Sequence, residues 1–342
     1  MTDPSAPATQ QAADDLLRTD IERAAAVLRA GGLVALPTET VYGLGADARN
    51  MAAVERIFAV KGRPANHPVI VHIASAEALS AWCAEVPAAA WLLAAAFWPG
   101  PMTMILRRDP RVLDVITGGQ DTVGLRVPAH PIALELLRVF AGGIAAPSAN
   151  RFGHVSPTTA DHVRAEPGTD VDMILDGGAC TIGIESTIVD LTAARPRILR
   201  PGGVSRAQIE AVLGLEPAAN AHDMADTPRV SGALASHYAP HTPVRWVDSA
   251  QLNEVLSTSL FHDKVGVLTV GTDAMNGSAA YDRVAVRWRV LPAEPRAYAQ
   301  RLYAQLRELD ELNLDLILLE VPPDTAPWEA VRDRLRRAAG LG

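Results

Sequence analysis

The sequence predicts an α/β protein of two domains, a larger one with a mixed sheet followed by a smaller one with a mainly parallel sheet. Its 342 residues exceed what one core usually serves, about 100 to 200 residues. From about Asp20 onward, short apolar runs alternate with segments of helical spacing. Several of the early apolar runs follow one another without a helix between them, which favours a mixed sheet over a doubly wound one.

Apolar runs predict the strands of the first domain, and helical spacing predicts its helices. The predicted strands span residues 33–36, 69–73, 102–106, 122–127, 143–146, 173–175, 186–191 and 197–199. The predicted helices are an alanine-rich one that ends at Gly31-Gly32 and segments 52–60, 76–83, 88–97, 132–140 and 159–165. A last helix, capped by Ser205, runs to Leu213 and closes a domain that we place at residues 15–214. Residues 1–14 are polar, alanine-rich and acidic, and we expect a disordered tail there.

The second domain follows a segment that breaks the pattern. Residues 215–243 hold Pro217, Pro228, Pro240 and Pro243 with little periodicity, which indicates a linker. Within residues 244–342, predicted strands span 244–247, 265–270, 283–289 and 316–319, and predicted helices end near 256 or span 297–312 and 328–339. Apolar strands that alternate with helices are typical of a small Rossmann-like, three-layer α/β unit. A G-x-G-x-x-G motif is missing after its first strand, so we assign it no dinucleotide.

Composition and motifs exclude several classes of protein. The net charge of −8 argues against general adhesion to nucleic acid or anionic membranes, so any basic site must be local. The two cysteines, Cys83 and Cys180, are interpreted as small buried residues in a reducing compartment. The N-terminal residues lack the basic start and apolar core typical of a secretion signal, and no apolar run reaches ~18 residues, so we expect a cytoplasmic protein without a membrane span. P-loop, G-x-S-x-G, H-E-x-x-H and paired C-x-x-C motifs are absent.

Two neighbouring segments point to an anionic ligand. Residues 37–45 leave an apolar strand and are dense in hydroxyls and glycine, and residues 61–68 place two cations beside an amide and an imidazole. Sharp turns after strands, with small residues and donors gathered there, are how α/β proteins hold anions. Lys61 is one of only two lysines in a chain that otherwise uses arginine, which suggests a compact charge that reaches a phosphate.

Polar groups at further strand ends predict a site at one edge of the sheet. Arg126 lies in an otherwise apolar strand and must be paired or ligand-bound, because an isolated buried cation is very costly. An ion pair with Glu39 or Asp121 is the alternative to a ligand. His72 is either a substrate contact or a satisfied core histidine, and Ser156 or Thr158 could simply cap the next helix. The other candidates at strand ends are Ser148, Asn150, Ser186 and Arg200.

Seven ordered motifs together resemble the threonylcarbamoyl-AMP synthases. They read PTETVYGLG, KGRP with NHPVIVH, WPGPMT, TVGLRVPAHP, APSAN, ESTIVD and LRPG. Residues 236–240, Ser-His-Tyr-Ala-Pro, are similar to the linker signature of the long form of that family. The resemblance implies a YrdC-like catalytic domain with a concave site, joined through the linker to the Rossmann-like domain.

The resemblance also implies an activity. Members of the family are nucleotidyltransferases that convert L-threonine, bicarbonate and ATP into threonylcarbamoyl-AMP and pyrophosphate. This is the first step of threonylcarbamoyladenosine modification of tRNA beside the anticodon. Expected partners are therefore small molecules and, transiently, a downstream tRNA threonylcarbamoyl transferase, with at most weak binding of tRNA itself. Magnesium would be carried with ATP, and we expect no protein metal site.

Site residues carry over from the family motifs by position. The resemblance implies that L-threonine is held by Thr38, His72, Arg126 and Ser186. It implies that ATP is held by Lys61, Arg63, Asn66, Thr122, Ser148, Asn150, Ser156 and Arg200, with His237 and Tyr238 as a lid. Lys61, Arg63 and Arg126 are the expected catalytic residues.

Two other functions remain as alternatives at this stage. The first is a nucleic-acid-binding module, because YrdC-like domains present a concave basic groove. The net acidity and the lack of interleaved aromatic and basic residues speak against it. The second is a different carbamoyl-transfer enzyme on the same catalytic fold, although such enzymes resemble this chain less and lack its C-terminal unit.

Overall fold

The computed structural model describes residues 6–166, 170–214, 227–232, 237–258, 264–271 and 285–341. Its first helix, α1, spans Ala6–Arg29 and therefore begins inside the segment 1–14 that we expected to be a disordered tail. Residues 6–14 are rich in alanine and glutamine, which favour helix, so they extend the amphipathic helix toward the N-terminus. The described part of that expectation is wrong, and residues 1–5 lie outside the described residues.

The first domain contains one mixed sheet, as expected. Its strands among the described residues are β1 (Val34–Leu36), β2 (Gly43–Asp47), β3 (Ile70–His72), β4 (Met102–Arg107), β5 (Thr122–Arg126), β6 (Ile144–Ala145), β7 (Met173–Ile174), β8 (Thr187–Asp190) and β9 (Arg197–Arg200). They lie in the order β7-β1-β2-β6-β3-β5-β4-β8-β9. β3 pairs with β5 in parallel, whereas β4 and β5 are antiparallel.

Strand β2 was not predicted, because its sequence Gly-Leu-Gly-Ala-Asp offers almost no apolar alternation. The glycines are needed for close packing instead. A Cβ atom on Gly45 would lie 2.7 Å from Leu36 Cδ2 and 2.9 Å from Ile144 Cγ2. Small residues here let the neighbouring strands and their side chains close over β2.

Helices cover both faces of this sheet. They are α2 (Met51–Lys61), α3 (Ala88–Phe97), α4 (Asp114–Thr117), α5 (Pro131–Phe140), α6 (Ala160–Arg164) and α7 (Arg206–Leu213), with a 3₁₀ turn at Ala76–Ala81. Ser205 forms a capping box with Gln208 and confirms the predicted start of α7. Helix α6 is capped by Thr159, so neither Ser156 nor Thr158 has the capping role that was their alternative.

The second domain is a parallel sheet with helices, which confirms the Rossmann-like expectation. Its strands are β10 (Val244–Val247), β11 (Lys264–Val270), β12 (Ala285–Leu291) and β13 (Leu316–Glu320), in the order β10-β13-β11-β12. Its helices are α8 (Leu252–Thr258), α9 (Pro295–Asp310) and α10 (Glu329–Ala338). Each of the strand pairs is parallel. Pro217 of the predicted linker and the start of the strand predicted at 283 lie outside the described residues.

The two domains share one apolar cluster. Val41 and Ile184 of the first domain pack with α9 and α10 residues such as Leu302 and Leu335. The fit is close at Gly183, where an added Cβ would lie 2.5 Å from the Cα atom of Gln300. No described helix has the length and apolar character that crossing a membrane requires.

Candidate functional site

One cavity lies where several strand ends of the first sheet meet the linker. The space inside it that the centres of water molecules can occupy is small, about 50 Å³. Its lining comprises Thr38, Thr40, Val41, Gly43, Arg63, Ile70, His72, Arg126, Ala146, Pro147, Ser148, Glu185, Ser186, Arg200, Ser231, Gly232, His237 and Tyr238. His72 and Arg126 end the paired strands β3 and β5 and are direct register partners. The predicted convergence of polar groups at one sheet edge is therefore observed.

The cavity brings together most of the predicted site residues. Those that line it are Thr38, Arg63, His72, Arg126, Ser148, Ser186, Arg200, His237 and Tyr238. Those that do not line it are Lys61, Asn66, Thr122, Asn150 and Ser156. The roles of both sets of residues in substrate binding stay predictions.

Arg126 is buried and points its guanidinium at internal partners. Nη2 donates to Glu39 Oε1 at 2.6 Å, Nη1 donates to Thr40 Oγ1 at 2.9 Å, and Nε donates to the Gly100 carbonyl at 3.2 Å. Of the two acids considered for an ion pair, Glu39 is the partner, whereas Asp121 pairs with Arg107. A guanidinium has five N–H donors, so these three bonds leave two unused on a residue that lines the cavity.

His72 differs from a satisfied core histidine. It is 3% exposed, and neither ring nitrogen makes a well-aligned hydrogen bond among the described residues, although the Ile144 backbone lies close enough to oppose the fall in its pKa. Burial and the nearby charge of Arg126 lower the pKa of His72 to about 3, so the ring is neutral near pH 7. Because buried polar atoms are usually paired, a poorly satisfied ring in the cavity lining is suited to a hydrogen bond with a ligand.

Hydroxyl groups line the cavity on both sides of Arg126. The hydroxyls of Thr38 and Thr40 are hydrogen-bonded at 2.8 Å, and Thr38 Oγ1 also accepts the N–H of Val41 at 3.2 Å. Across the cavity, Ser186 Oγ lies 2.8 Å from Thr103 Oγ1 and accepts from Arg200 Nη2 at 3.1 Å. The turn after β1 and the entry to β8 thus present fixed hydroxyls to the same space.

Arg63 and Arg200 place two more guanidinium groups at the cavity. Arg63 Nη2 donates to the Pro68 carbonyl at 2.7 Å and to Ser231 Oγ at 2.8 Å. Arg200 Nη1 donates to the Ser231 carbonyl at 2.9 Å. Burial lowers the pKa of Arg63 to about 10, which leaves it charged near neutral pH. Both arginines therefore tie the linker residue Ser231 to the first domain.

Lys61 lies behind the cavity wall, at the end of α2. Its ammonium group donates to the Ser148 carbonyl at 2.6 Å and to the Asn150 carbonyl. Burial and the charge of Arg63 hold the pKa of Lys61 well below its ordinary value. Asn150 uses its amide N–H groups on the carbonyls of Arg151 and His154, and its Oδ1 is buried without a partner among the described residues. In this arrangement Lys61 fixes the loop that carries Ser148.

Described linker residues, among them His237 and Tyr238, form part of the cavity wall. The backbone N–H of His237 donates to the Arg337 carbonyl of α10 at 3.2 Å, and burial lowers the pKa of the His237 ring to about 3. Tyr238 is buried with a φ of 62°, and its hydroxyl has no partner among the described residues. A Cβ on Gly232 would lie 2.0 Å from Tyr238 Oη, so only glycine fits beneath this tyrosine.

The remaining predicted residues have different surroundings. Thr122 lines a smaller neighbouring cavity, whose lining also includes the linker residues Arg229 and Val230. Asn66 is exposed and outside both linings. Ser156 is fully buried and donates from Oγ to Glu185 Oε1 at 2.7 Å.

Three lining residues with polar side chains were missed as site candidates: Thr40, Glu185 and Ser231. Glu185 precedes Ser186 at the entry to a strand, and Thr40 lies two residues from Thr38, so their neighbours could have signalled both. Nothing in the local sequence distinguishes Ser231 from an ordinary linker serine.

Comparisons with known proteins agree with this arrangement. The family model described as "Telomere recombination" (Sua5_yciO_yrdC) matches residues 26–202, and the model "Threonylcarbamoyl-AMP synthase, C-terminal domain" matches residues 204–340. The chain is 42% identical over 330 residues to the threonylcarbamoyl-AMP synthase of Pyrococcus abyssi, covering 94% of each chain. It is 40% identical over 334 residues to that of Bacillus subtilis, covering 96% of this chain and 95% of the relative.

A solved structure matches the fold as a whole. The crystal structure of P. abyssi Sua5 complexed with L-threonine has a TM-score of 0.85 and 40% identity, and the match covers 94% of each chain. The match thus spans both domains and the linker between them. The chain belongs to the threonylcarbamoyl-AMP synthases, a family of nucleotidyltransferases, in the form that carries both domains.

Proposed function

We propose that the protein converts L-threonine, bicarbonate and ATP into threonylcarbamoyl-AMP and pyrophosphate. The observation that carries the proposal is the juxtaposition of His72 and Arg126 in the cavity. One has two ring nitrogens without a well-aligned hydrogen bond among the described residues, and the other has two unused N–H donors. They are suited to an amino acid that brings a carboxylate and further polar groups. The relative solved with L-threonine supports this choice of ligand.

In this proposal the threonine carboxylate binds Arg126. The hydroxyls of Thr38 and Ser186 and the neutral His72 ring would bind the hydroxyl and amine of the ligand. All four side chains are buried, and each belongs to a strand end or to the turn beside one. A site on such rigid elements orients the amine toward its reaction partner without further ordering.

The nucleotide would lie against Arg63, Arg200 and the loop of Ser148, beneath the lid formed by His237 and Tyr238. The arginines supply fixed positive charge, and the Ser148 hydroxyl is half-buried at the cavity wall. Lys61 would act on the phosphates through its remaining N–H donor, and through the loop that it holds. Asn150 has one buried amide oxygen without a partner among the described residues, which a ribose or base donor could use.

The chemistry requires positioning and charge neutralisation more than a side-chain nucleophile. The threonine amine forms a carbamate, either by attack on carbon dioxide with loss of a proton or by attack on bicarbonate with loss of water. A carbamate oxygen attacks the α-phosphate in line, the bond to the β-phosphate oxygen breaks, and pyrophosphate leaves. Arginines aimed at the phosphates stabilise the charge that develops. Because a carbamate decomposes readily in water, the lid has an evident purpose.

Magnesium, when bound with ATP, supplies further charge neutralisation on the triphosphate. Among the described residues, there is no group of three or more His, Cys, Asp or Glu side chains placed so that they could hold a metal ion. We therefore propose that phosphate oxygens and water coordinate the ion, and that the protein contributes the arginines around it.

The product would pass to a tRNA threonylcarbamoyl transferase, which makes threonylcarbamoyladenosine beside the anticodon. We propose a transient contact with that partner in the cytoplasm. With a net charge of −8, this chain would bind tRNA at most weakly by itself.

The test is an incubation with ATP labelled on the α-phosphate, L-threonine and bicarbonate, in which pyrophosphate and labelled adenylate are both quantified. We expect both products only when all three substrates and Mg²⁺ are present. Omission of threonine, or its replacement by alanine, is the matched control. Pyrophosphate release that ignores threonine, or salt-sensitive retention of RNA without turnover, would reject the proposal.

A further inference from the structure

Glu185 is a buried carboxylate in the wall of a cavity that we assign to anions. It is 7% exposed and lines the same space as Arg126 and Arg200. A bare carboxylate at this position would repel both an amino acid's carboxylate and a triphosphate. Nothing in the proposed chemistry requires a negative charge here, so its presence needs an explanation.

The explanation lies in the C-terminal domain. Arg334 of α10 donates from Nε to Glu185 Oε2 at 2.6 Å, and Tyr303 of α9 donates from its hydroxyl to the same oxygen at 2.9 Å. Ser156 of the first domain donates to Oε1 at 2.7 Å. Burial alone would raise the pKa of Glu185, but Arg334, Arg200 and Ser156 together lower it below its ordinary value. The carboxylate is therefore ionised, and its charge is balanced from the other domain.

Arg334 also contacts the lid. Its guanidinium carbon lies 5.1 Å from the centre of the Tyr238 ring, and Nη2 donates to the Pro201 carbonyl at 3.0 Å. Tyr238 further stacks on Tyr303, with ring centres 5.9 Å apart. The Arg334 side chain is fully buried. One arginine thus touches the cavity wall, the turn after β9 and the lid.

We propose that Arg334 is a positioning residue for the active site, through which the C-terminal domain makes the cavity competent to bind anionic substrates. It neutralises Glu185 and holds Tyr238 over the cavity. The inference rests on the proposed function and deepens it, because it gives the C-terminal domain a duty in substrate binding. Arg334 touches no reacting atom in this account and acts through Glu185 and Tyr238.

The test compares the full-length Arg334→Met variant with the double variant Glu185→Gln/Arg334→Met. We expect the single variant to bind ATP and L-threonine at least ~10-fold more weakly, as when a charge is left buried and unpaired near a ligand. The double variant removes the uncompensated carboxylate and keeps one acceptor oxygen, which can serve Ser156 or Tyr303 but not both, since they donate to different oxygens of Glu185. We expect it to recover most of the lost affinity in titration calorimetry.

A matched control is Glu329→Gln. Glu329 is on the same helix and also pairs across the domains, 3.8 Å from Arg206, but it does not line the cavity. We expect wild-type affinity for both ligands. If Arg334 had only a structural role, Arg334→Met would lower the melting temperature of the protein. Any loss of ligand affinity would then not be recovered by adding Glu185→Gln.

Two outcomes would overturn the inference: Arg334→Met binds both ligands within about twofold of wild type, or the double variant binds no better than the single one. If Arg334→Met does not fold, the Tyr303→Phe variant tests the inference instead. It removes the hydroxyl that donates a hydrogen bond to the Glu185 carboxylate. We then expect weaker L-threonine binding that Glu185→Gln relieves, and unchanged binding contradicts the inference. Failure of the wild type to turn over substrates would instead reject the proposed function.

Discussion

Arg126 and Glu39 form a buried ion pair at the cavity wall, with Arg126 Nη2 2.6 Å from Glu39 Oε1. Glu39 Oε2 also accepts the N–H of Ala129 at 3.0 Å, so the carboxylate is held by the chain segment that follows β5. The arginine is thereby fixed in direction while part of its donor set stays available. An internal acidic partner and a role in ligand binding are compatible at this residue.

The first prediction concerns Arg126. We expect Arg126→Ala to reduce turnover at least ~100-fold, the scale expected when an orienting charge is lost. A matched control is Arg197→Ala, which breaks another buried ion pair, to Asp190, away from the cavity. The control should lose stability but keep L-threonine affinity. Near-normal turnover of Arg126→Ala would remove this residue from the site.

The second prediction concerns Lys61. We expect Lys61→Ala to reduce turnover at least ~100-fold, since both a charge near the phosphates and the anchor of the Ser148 loop are lost. The chain's other lysine, Lys264, is exposed at the start of β11 and provides the control. Lys264→Ala should retain wild-type kinetics. Equal activity of the two variants in a pyrophosphate-release assay would contradict the assignment.

The third prediction concerns the glycine beneath the lid. Gly232→Ala would place a Cβ 2.0 Å from Tyr238 Oη at a φ of 75°, so we expect Tyr238 to be displaced and ATP to bind at least ~10-fold more weakly. Gly214→Ala is the control, because Gly214 has a similar φ of 66° but nothing within 4 Å of its added Cβ. It should share the backbone strain and keep the ATP affinity. Equal dissociation constants for the two variants would show that the lid does not hold the nucleotide.

The fourth prediction concerns acid stability. Folding lowers the pKa of His72 to about 3 through burial and Arg126, while an unfolded histidine titrates near its ordinary value of 6.5. The unfolded state binds more protons between these values, so this stability is present above about pH 6.5 and is lost as the pH falls toward 3. At about pH 5 the loss is about 2 kcal/mol for this one group.

Urea unfolding at about pH 7 and pH 5 measures this effect. We expect His72→Gln to show a smaller drop in unfolding free energy between the two pH values than the wild type does, because the titrating ring is gone. An identical drop in both proteins would mean that His72 does not carry the difference.

The local sequence pattern predicted most of the fold, because most strands are short continuous apolar runs and most helices show helical spacing of their apolar residues. Strand β10 begins and ends where the pattern predicted, at Val244 and Val247. Strand β2 was missed because Gly43 and Gly45 are needed where neighbouring segments of the chain pack closely against them. The local sequence does not show such tertiary contacts. Helix α1 was underestimated at its start, since alanine-rich polar sequence is compatible with both helix and disorder.

The site was predictable to the extent that it consists of strand ends. His72, Arg126 and Arg200 each close a strand, and their polarity stands out in apolar surroundings. The position of Lys61 behind the wall was not predictable, because the direction of an ammonium group at a helix end depends on a loop almost ninety residues later. The contribution of Arg334 could not be read from sequence either, because an amphipathic helix with basic residues usually faces water.

The contact between Glu185 and Arg334 has a consequence for how such enzymes can be assembled from parts. A catalytic domain joined to a foreign C-terminal domain would keep Glu185 but lose its ion-pair partner Arg334, even if both domains folded well. Successful chimeras would have to transfer Glu185, just before β8, together with Tyr303 of α9 and Arg334 of α10. In this chain the two halves therefore cannot be exchanged independently of each other.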